Sequence, residues 1–208
     1  MTIVSAPGPT GDITRDRYDV VVVGCGPVGL AAAIELGSRH LTVLLADCGD
    51  GVVRYPTAES VDVVSMELLR RWGMAHLVTQ SGFPAGAPRD IAFVSGMTTY
   101  ELARFPRPSN AGRRRTTQGL SPEGGVWWPK FWLDPALCER AGAQPSVDLR
   151  YRWSCESFDD GADEVRVRLS SSRYGSRLVR ARYLVASDGA ASPIRGQSRA
   201  SDGRGQAH

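Results

Sequence analysis

Tyr18-Asp19-Val20-Val21-Val22-Val23-Gly24-Cys25-Gly26-Pro27-Val28-Gly29-Leu30 is followed by an apolar-periodic stretch and then by Leu41-Thr42-Val43-Leu44-Leu45-Ala46-Asp47. Val20 to Val23 form the continuous β-branched run expected of a parallel strand buried on both faces. The glycines match G-x-G-x-x-G. Gly24 permits the tight turn, Gly26 leaves room for a pyrophosphate to approach the backbone, and Gly29 lets the next helix pack close to the strand. That helix opens toward the phosphates with unpaired N–H groups and its positive dipole end. Asp47 follows Gly24 by 23 positions, at the end of the second strand. There a carboxylate accepts from a ribose 2′-OH and repels a 2′-phosphate. Strand, glycine turn, helix and acid stand in the order that a dinucleotide-binding unit requires, which outweighs the reading of a glycine turn with no ligand. Cys25 meets the motif's demand for a small side chain and is read as filler.

The chain has 208 residues, 42% of them hydrophobic and 23% charged, enough for one good core and part of a second layer. The net charge of +3 is modest and nearly all the positive charge is arginine, Lys130 being the only lysine. Arg113-Arg114-Arg115 lies in a polar stretch and reads as a solvated loop, not as a nucleic-acid site. Cys25, Cys48, Cys138 and Cys155 show neither C-x-x-C spacing nor histidine pairing, which argues against a disulfide framework and against a metal site. Residues 1–17 lack the pattern of a signal peptide, and no apolar run reaches membrane-spanning length. The expectation is a cytoplasmic protein with a flexible arm at 1–17.

Beyond Asp47, a helix is expected after Ala58, with Val61, Val64 and Leu68 on its apolar face, Arg70 and Arg71 in its last turn, and Gly73 just past its end. Ile91 to Val94 and Thr98 to Leu102 read as strands. Residues between Arg104 and Trp128 read as a long irregular excursion. The Asp134-Pro135 pair reads as the N-cap and first position of a helix through Arg140. The neighbouring aromatics, Trp127 to Trp132, read as a packed core edge. From Asp148 onward the pattern has period two, with Val165, Val167 and Leu169 alternating with arginines, and Leu178 to Val185 forming a further strand. Antiparallel strands added to a dinucleotide-binding unit suggest three layers, a β-meander covering a parallel sheet. This suits flavin folds better than simple dehydrogenases.

The last strand runs into Ser187-Asp188-Gly189-Ala190-Ala191-Ser192-Pro193-Ile194-Arg195. Together with Gly24 to Leu30, Arg54 to Ala58, Ser65 to Arg70, Tyr100 to Phe105 and Phe131 to Leu137, this segment resembles the FAD-dependent aromatic hydroxylases, the para-hydroxybenzoate-hydroxylase-like monooxygenases. The resemblance implies an α/β, Rossmann-like FAD/NAD(P)-binding domain over residues 18–195, with part of a substrate-domain excursion near 91–130. It implies FAD over Gly24, Gly26, Pro27 and Gly29, with its adenosine ribose on Asp47 and Asp188-Gly189 near its pyrophosphate. Arg54 and Lys130 join the cofactor-facing candidates. The implied reaction uses NAD(P)H and O₂ to hydroxylate a small aromatic or polyketide-like substrate, and FAD carries the hard chemistry. No side chain is nominated as catalyst, and His40 and His76 read as ordinary helix-associated residues.

Relatives in the resembled family often carry a basic residue where this chain has Thr57, an arginine where it has Val64, and a glutamine where it has Lys130. They also continue past Arg195 with a Gly-Asp segment and most of a substrate domain. Here residues 196–208 lack any apolar side chain larger than alanine and read as a disordered tail. The chain therefore reads as a truncated FAD-binding domain with an exposed sheet edge, and the alternative to an active hydroxylase is a catalytically incompetent FAD-binding fragment. A halogenase is disfavoured because Trp127-Trp128-Pro129 does not match W-x-W-x-I-P.

Overall fold

The structure is a computed structural model and describes residues 8–54, 59–81, 84–112 and 119–198. Thr57, Arg113 to Arg115 and most of the expected tail lie outside the described residues. In chain order the elements are β1 (Arg17–Val23), α1 (Pro27–Gly37), β2 (Val43–Asp47), β3 (Ser60–Val61), α2 (Val63–Arg71), α3 (Leu77–Gln80), β4 (Ile91–Val94), β5 (Glu101–Phe105), β6 (Val126–Trp127), α4 (Lys130–Gly142), β7 (Val147–Tyr151), β8 (Ser154–Asp160), β9 (Val165–Ser171), β10 (Gly175–Ala186) and α5 (Pro193–Gln197). They form two compact units, divided at residues 54/55 and 133/134.

The first unit holds a six-stranded sheet in the order β7-β2-β1-β10-β9-β8. β1 pairs in parallel with β2 on one side, Val20 opposite Val43, and with β10 on the other, Val20 opposite Tyr183. β7 extends the parallel part on β2. The 12-residue β10 serves twice: Gly175 to Ala181 pair antiparallel with β9, and Arg180 to Ala186 pair parallel with β1. From Arg182 onward β10 has no strand on its second side among the described residues.

Strand alternation divides the apolar residues between two faces. Val21, Val23, Leu44 and Ala46 face a core that they share with Trp153, with Val165, Val167 and Leu169 of β9, and with Val179 and Ala181 of β10. The meander thus covers that face of the parallel strands. α1 packs on the same parallel strands with Leu30, Ala33 and Ile34 fully buried, giving the three expected layers. Each such buried Val or Leu contributes about 1.5–3 kcal/mol relative to exposure.

Residues 8–16 depart from the expected flexible arm. The Gly8 N–H donates to Asp50 O at 2.8 Å, the Tyr151 N–H to Pro9 O at 3.1 Å, and Trp153 Nε1 to Gly11 O at 2.9 Å, while Ile13 is buried. Partners on β7 and at Trp153 satisfy this polar backbone, and Ile13 supplies an apolar anchor, so the Pro/Gly composition does not leave the segment free.

The second unit carries short elements. β3 pairs with β6 and β4 with β5, both antiparallel. β5 begins at Glu101, three residues later than expected for its strand. α2 opens on Asp62, whose carboxylate accepts from the Ser65 N–H, and it buries Met66 and Leu69. Val61 falls in β3 and Val64 is exposed, so the expected 61/64/68 stripe is corrected to 66/69. Gly73, with φ +75°, ends α2 as expected. α4 starts at Lys130 with Pro135 inside it, so the expected opening at Asp134-Pro135 is also corrected. The Trp132 and Leu133 N–H groups already donate to Pro129 O, at 2.9 and 3.1 Å, and the helix is under way before the proline.

Candidate functional site

The glycines of the β1–α1 turn do three separable things. Gly24 has φ +104°, and a Cβ there would lie 2.3 Å from Ser187 O; at Gly29 a Cβ would lie 1.8 Å from Gly24 O. Both are glycines because the fold itself leaves no room. Gly26 is different: its φ is −72° and a Cβ would meet nothing within 4 Å. No protein atom requires glycine there, and the space it keeps clear lies at the N-cap of α1. Pro27 occupies the first turn, and no side chain caps it, so its N–H groups and dipole are available to an anion.

Asp47 closes β2 beside this turn. Its Oδ2 accepts from the Cys25 N–H at 2.6 Å and its Oδ1 from the Gly49 N–H at 2.6 Å. Each carboxylate oxygen has a second lone pair, so acceptor capacity remains for a ligand hydroxyl. Asp47, Cys48, Cys155 and Asp188 share the lining of a cleft of about 240 Å³ with Gly24 and Ile194. The Cys155 thiol is pushed up to about 11, chiefly by burial and then by the charges of Asp188 and Glu156.

Asp188 and Gly189 follow β10 directly. The Ile194 N–H donates to Asp188 Oδ2 at 3.4 Å, and Gly189 has φ +87°, a left-handed conformation suited to glycine. Asp188 also lines a larger hollow of about 680 Å³, bounded by Tyr183, Leu184, Gly189 and Arg195, along the open part of β10.

The structure thus brings together Gly24, Gly26, Pro27, Gly29, Asp47, Asp188 and Gly189. Arg54 belongs to the same unit, but its guanidinium clamps Asp50, Nη2 to Oδ2 at 2.5 Å and Nη1 to Oδ1 at 3.0 Å. This pairing holds the Asp50 carboxyl well below the usual carboxylate range. Lys130 lies in the second unit, at the start of α4. His40 and His76 are exposed and line none of these clefts. No cluster of three or more metal-ligating side chains occurs among the described residues.

Sequence reasoning missed two contributors. Ser187 packs against Gly24 and Gly29, and its buried Oγ has no partner among the described residues; its place just before Asp188-Gly189 was the available signal. Cys25 fills space, as read, with burial pushing its thiol up, but its N–H also holds Asp47. A backbone role of that kind has no side-chain signature.

Residues 17–207 match the family model described as FAD binding domain. The chain is 29% identical over 184 residues to a probable NADH-specific resorcinol 4-hydroxylase of Rhodococcus jostii (strain RHA1), covering 87% of this chain and 32% of that protein. It is 31% identical over 189 residues to the aklavinone 12-hydroxylase DnrF of Streptomyces peucetius subsp. caesius, covering 88% and 38%. Among solved structures, the rebeccamycin biosynthetic enzyme RebC with reduced flavin superposes with a TM-score of 0.77 at 38% identity, over 86% of this chain and 34% of that one. The flavin-dependent monooxygenase PieE, in complex with FAD and substrate, gives 0.77 at 29% identity, over 87% and 32%. The chain spans about a third of the length of the curated relatives it matches. No helix among the described residues is long and apolar enough to cross a membrane.

Proposed function

Because this chain belongs to the FAD binding domain family of flavin-dependent hydroxylases, we propose that it holds the ADP half of FAD on the Gly24–Gly29 turn and serves hydroxylation of an aromatic or polyketide-like substrate with NAD(P)H and O₂. The observation that carries this reading is Gly26, a glycine whose missing side chain clears space that no protein atom uses.

In this reading the first turn of α1 binds the pyrophosphate through its N–H groups, with Pro27 fixing the backbone for that approach. Asp47 accepts from the adenosine ribose with the lone pairs that Cys25 and Gly49 leave open. Ser187 and Asp188 close the other side of the turn. Bound FAD supplies the electron transfer and oxygen chemistry, and the chain supplies position and shelter from water. Arg54 supports the loop after β2 through Asp50 and is retained as a cofactor-facing candidate. Four free cysteines suit a reducing, cytoplasmic setting.

The test is the absorption spectrum of the purified chain after incubation with FAD and desalting, followed by addition of NADH or NADPH with a resorcinol-type phenol. A retained flavin band that bleaches with the donor supports the reading. A chain that emerges colourless overturns it. A band that persists without donor oxidation reduces the reading to its alternative, an FAD-binding portion without activity of its own.

A further inference from the structure

Within the second unit, Arg89 and Arg107 line one cleft of about 230 Å³ with Glu59, Ser60, Asp90 and Trp127. Arg89 is half-buried, and its one hydrogen bond among the described residues runs from Nη1 to Gly125 O at 3.3 Å. A guanidinium carries five N–H donors, so most of its capacity is unspent. No carboxylate among the described residues pairs with Arg89 or with Arg107. The acid between them is otherwise engaged: Asp90 Oδ2 accepts from Arg104 Nη1 at 3.3 Å and Oδ1 from the Arg107 N–H at 3.1 Å. Glu59, the other acid of the lining, is exposed and weakened by solvent screening.

Burial, and then the charge of Arg107, hold the Arg89 guanidinium below its ordinary value. The two carboxylates of the lining do not take up its donors: Asp90 is held by Arg104 and by the Arg107 backbone, and Glu59 is exposed, so the Arg89 fork is left with donors to spare. Elsewhere in this chain partly buried arginines have carboxylates, as Arg150 has Asp148 at 2.6 Å. The fork geometry of guanidinium matches the planar oxygens of carboxylates and the oxygens of phosphates.

We propose that this cleft is an oxyanion site, binding a carboxylate or phosphate group of a small ligand between Arg89 and Arg107. Ser60 adds a hydroxyl donor, and Trp127 with Pro88 and Ile91 supplies apolar wall for the body of the ligand. The shared chemistry is the oxyanion; the ligand that carries it is an aromatic acid or a phosphorylated molecule. The site does not depend on the FAD reading, since it uses none of the same residues.

The experiment is a tryptophan-fluorescence titration of the full chain at low salt with sodium benzoate, with inorganic phosphate, and with benzamide as the uncharged control. Saturable binding of benzoate assigns the aromatic carboxylate, and saturable binding of phosphate assigns the phosphate group; either supports the site. Benzamide gives no saturation, and high salt weakens the anions. R89Q weakens binding about tenfold, as expected for loss of a hydrogen-bonded charge, while R89K retains part of it because charge survives and the fork does not. R107Q, at an exposed position, gives a variant that keeps the fold should R89Q fail to. W127F removes the optical response. The proposal is overturned if neither anion saturates, if benzamide binds as well as benzoate, or if R89Q and R107Q both bind like the unaltered chain.

Discussion

The backbone N–H of Cys25 donates to Oδ2 of Asp47 at 2.6 Å, so the carboxylate that ends β2 also fixes the glycine turn between β1 and α1. Substitution by alanine orphans the N–H groups of Cys25 and Gly49 at once. Asp47→Ala is expected to lower stability by about 1–3 kcal/mol and to weaken FAD binding as well. Asp47→Asn keeps one acceptor and loses less of both. Urea unfolding beside flavin titration of the two variants checks this, and a weakened affinity without any stability loss would place Asp47 outside the turn's support.

Gly24 and Gly29 are demanded by the fold. With a Cβ 1.8 Å from Gly24 O, Gly29→Ala forces α1 away from β1 and is expected to cost about 3 kcal/mol or more. Gly24→Ala adds the strain of a side chain at φ +104°. Thermal unfolding without any ligand reads both losses.

Cys48 is exposed and lines the same cleft as Asp47, whereas Cys25 is buried and Cys155 is half-buried with its thiol held near 11. Thiolate is the reactive form. Alkylation near pH 8 is therefore expected to label Cys48 first and Cys25 last, with FAD slowing the labelling of Cys48. Peptide mass spectrometry checks the order. Equal labelling of Cys48 with and without FAD would move the adenosine moiety elsewhere.

Asp19 ties the start of β1 to the segment before β2. Its Oδ2 accepts from the Thr42 N–H at 2.8 Å and from Thr42 Oγ1 at 2.7 Å. The Thr42 backbone hydrogen bond, then its hydroxyl, hold the Asp19 carboxyl below its ordinary value. A carboxyl lowered in the folded state contributes stability above its unfolded value, and that contribution is lost as pH falls through the folded value. The chain is thus expected to be more stable than Asp19→Asn at pH 7. The gap should narrow as pH drops below about 4 and close once the folded carboxyl is protonated. Melting temperatures of both proteins across that range check the sign.

The β1–α1–β2 unit was legible because its signals are local: a β-branched run, glycines at fixed spacing, and an acid at the strand end. The meander was legible from the period-two pattern around Val165 to Leu169. What escaped depends on distant partners. Residues 8–16 look like a tail until Arg150 and Trp153 take up the carbonyls of Asp12 and Gly11. The apolar stripe of α2 was misplaced because Val61 pairs with Val126 in a strand instead of opening the helix. The pairing of Arg54 with Asp50 is likewise visible only in the fold. The Arg89–Arg107 cleft leaves no trace in the sequence, since 18 positions separate residues that a loop and a strand bring together.

The most direct measurement is a flavin-fluorescence titration of the unaltered chain and of Gly26→Ala. In this structure the added methyl touches no protein atom within 4 Å, so the variant should fold with a stability change below about 1 kcal/mol. FAD should saturate the unaltered chain and bind Gly26→Ala at least about tenfold more weakly, a loss of 1.4 kcal/mol or more. Equal affinity for the two proteins, or no binding to either, would contradict the assignment of the glycine turn as the FAD site.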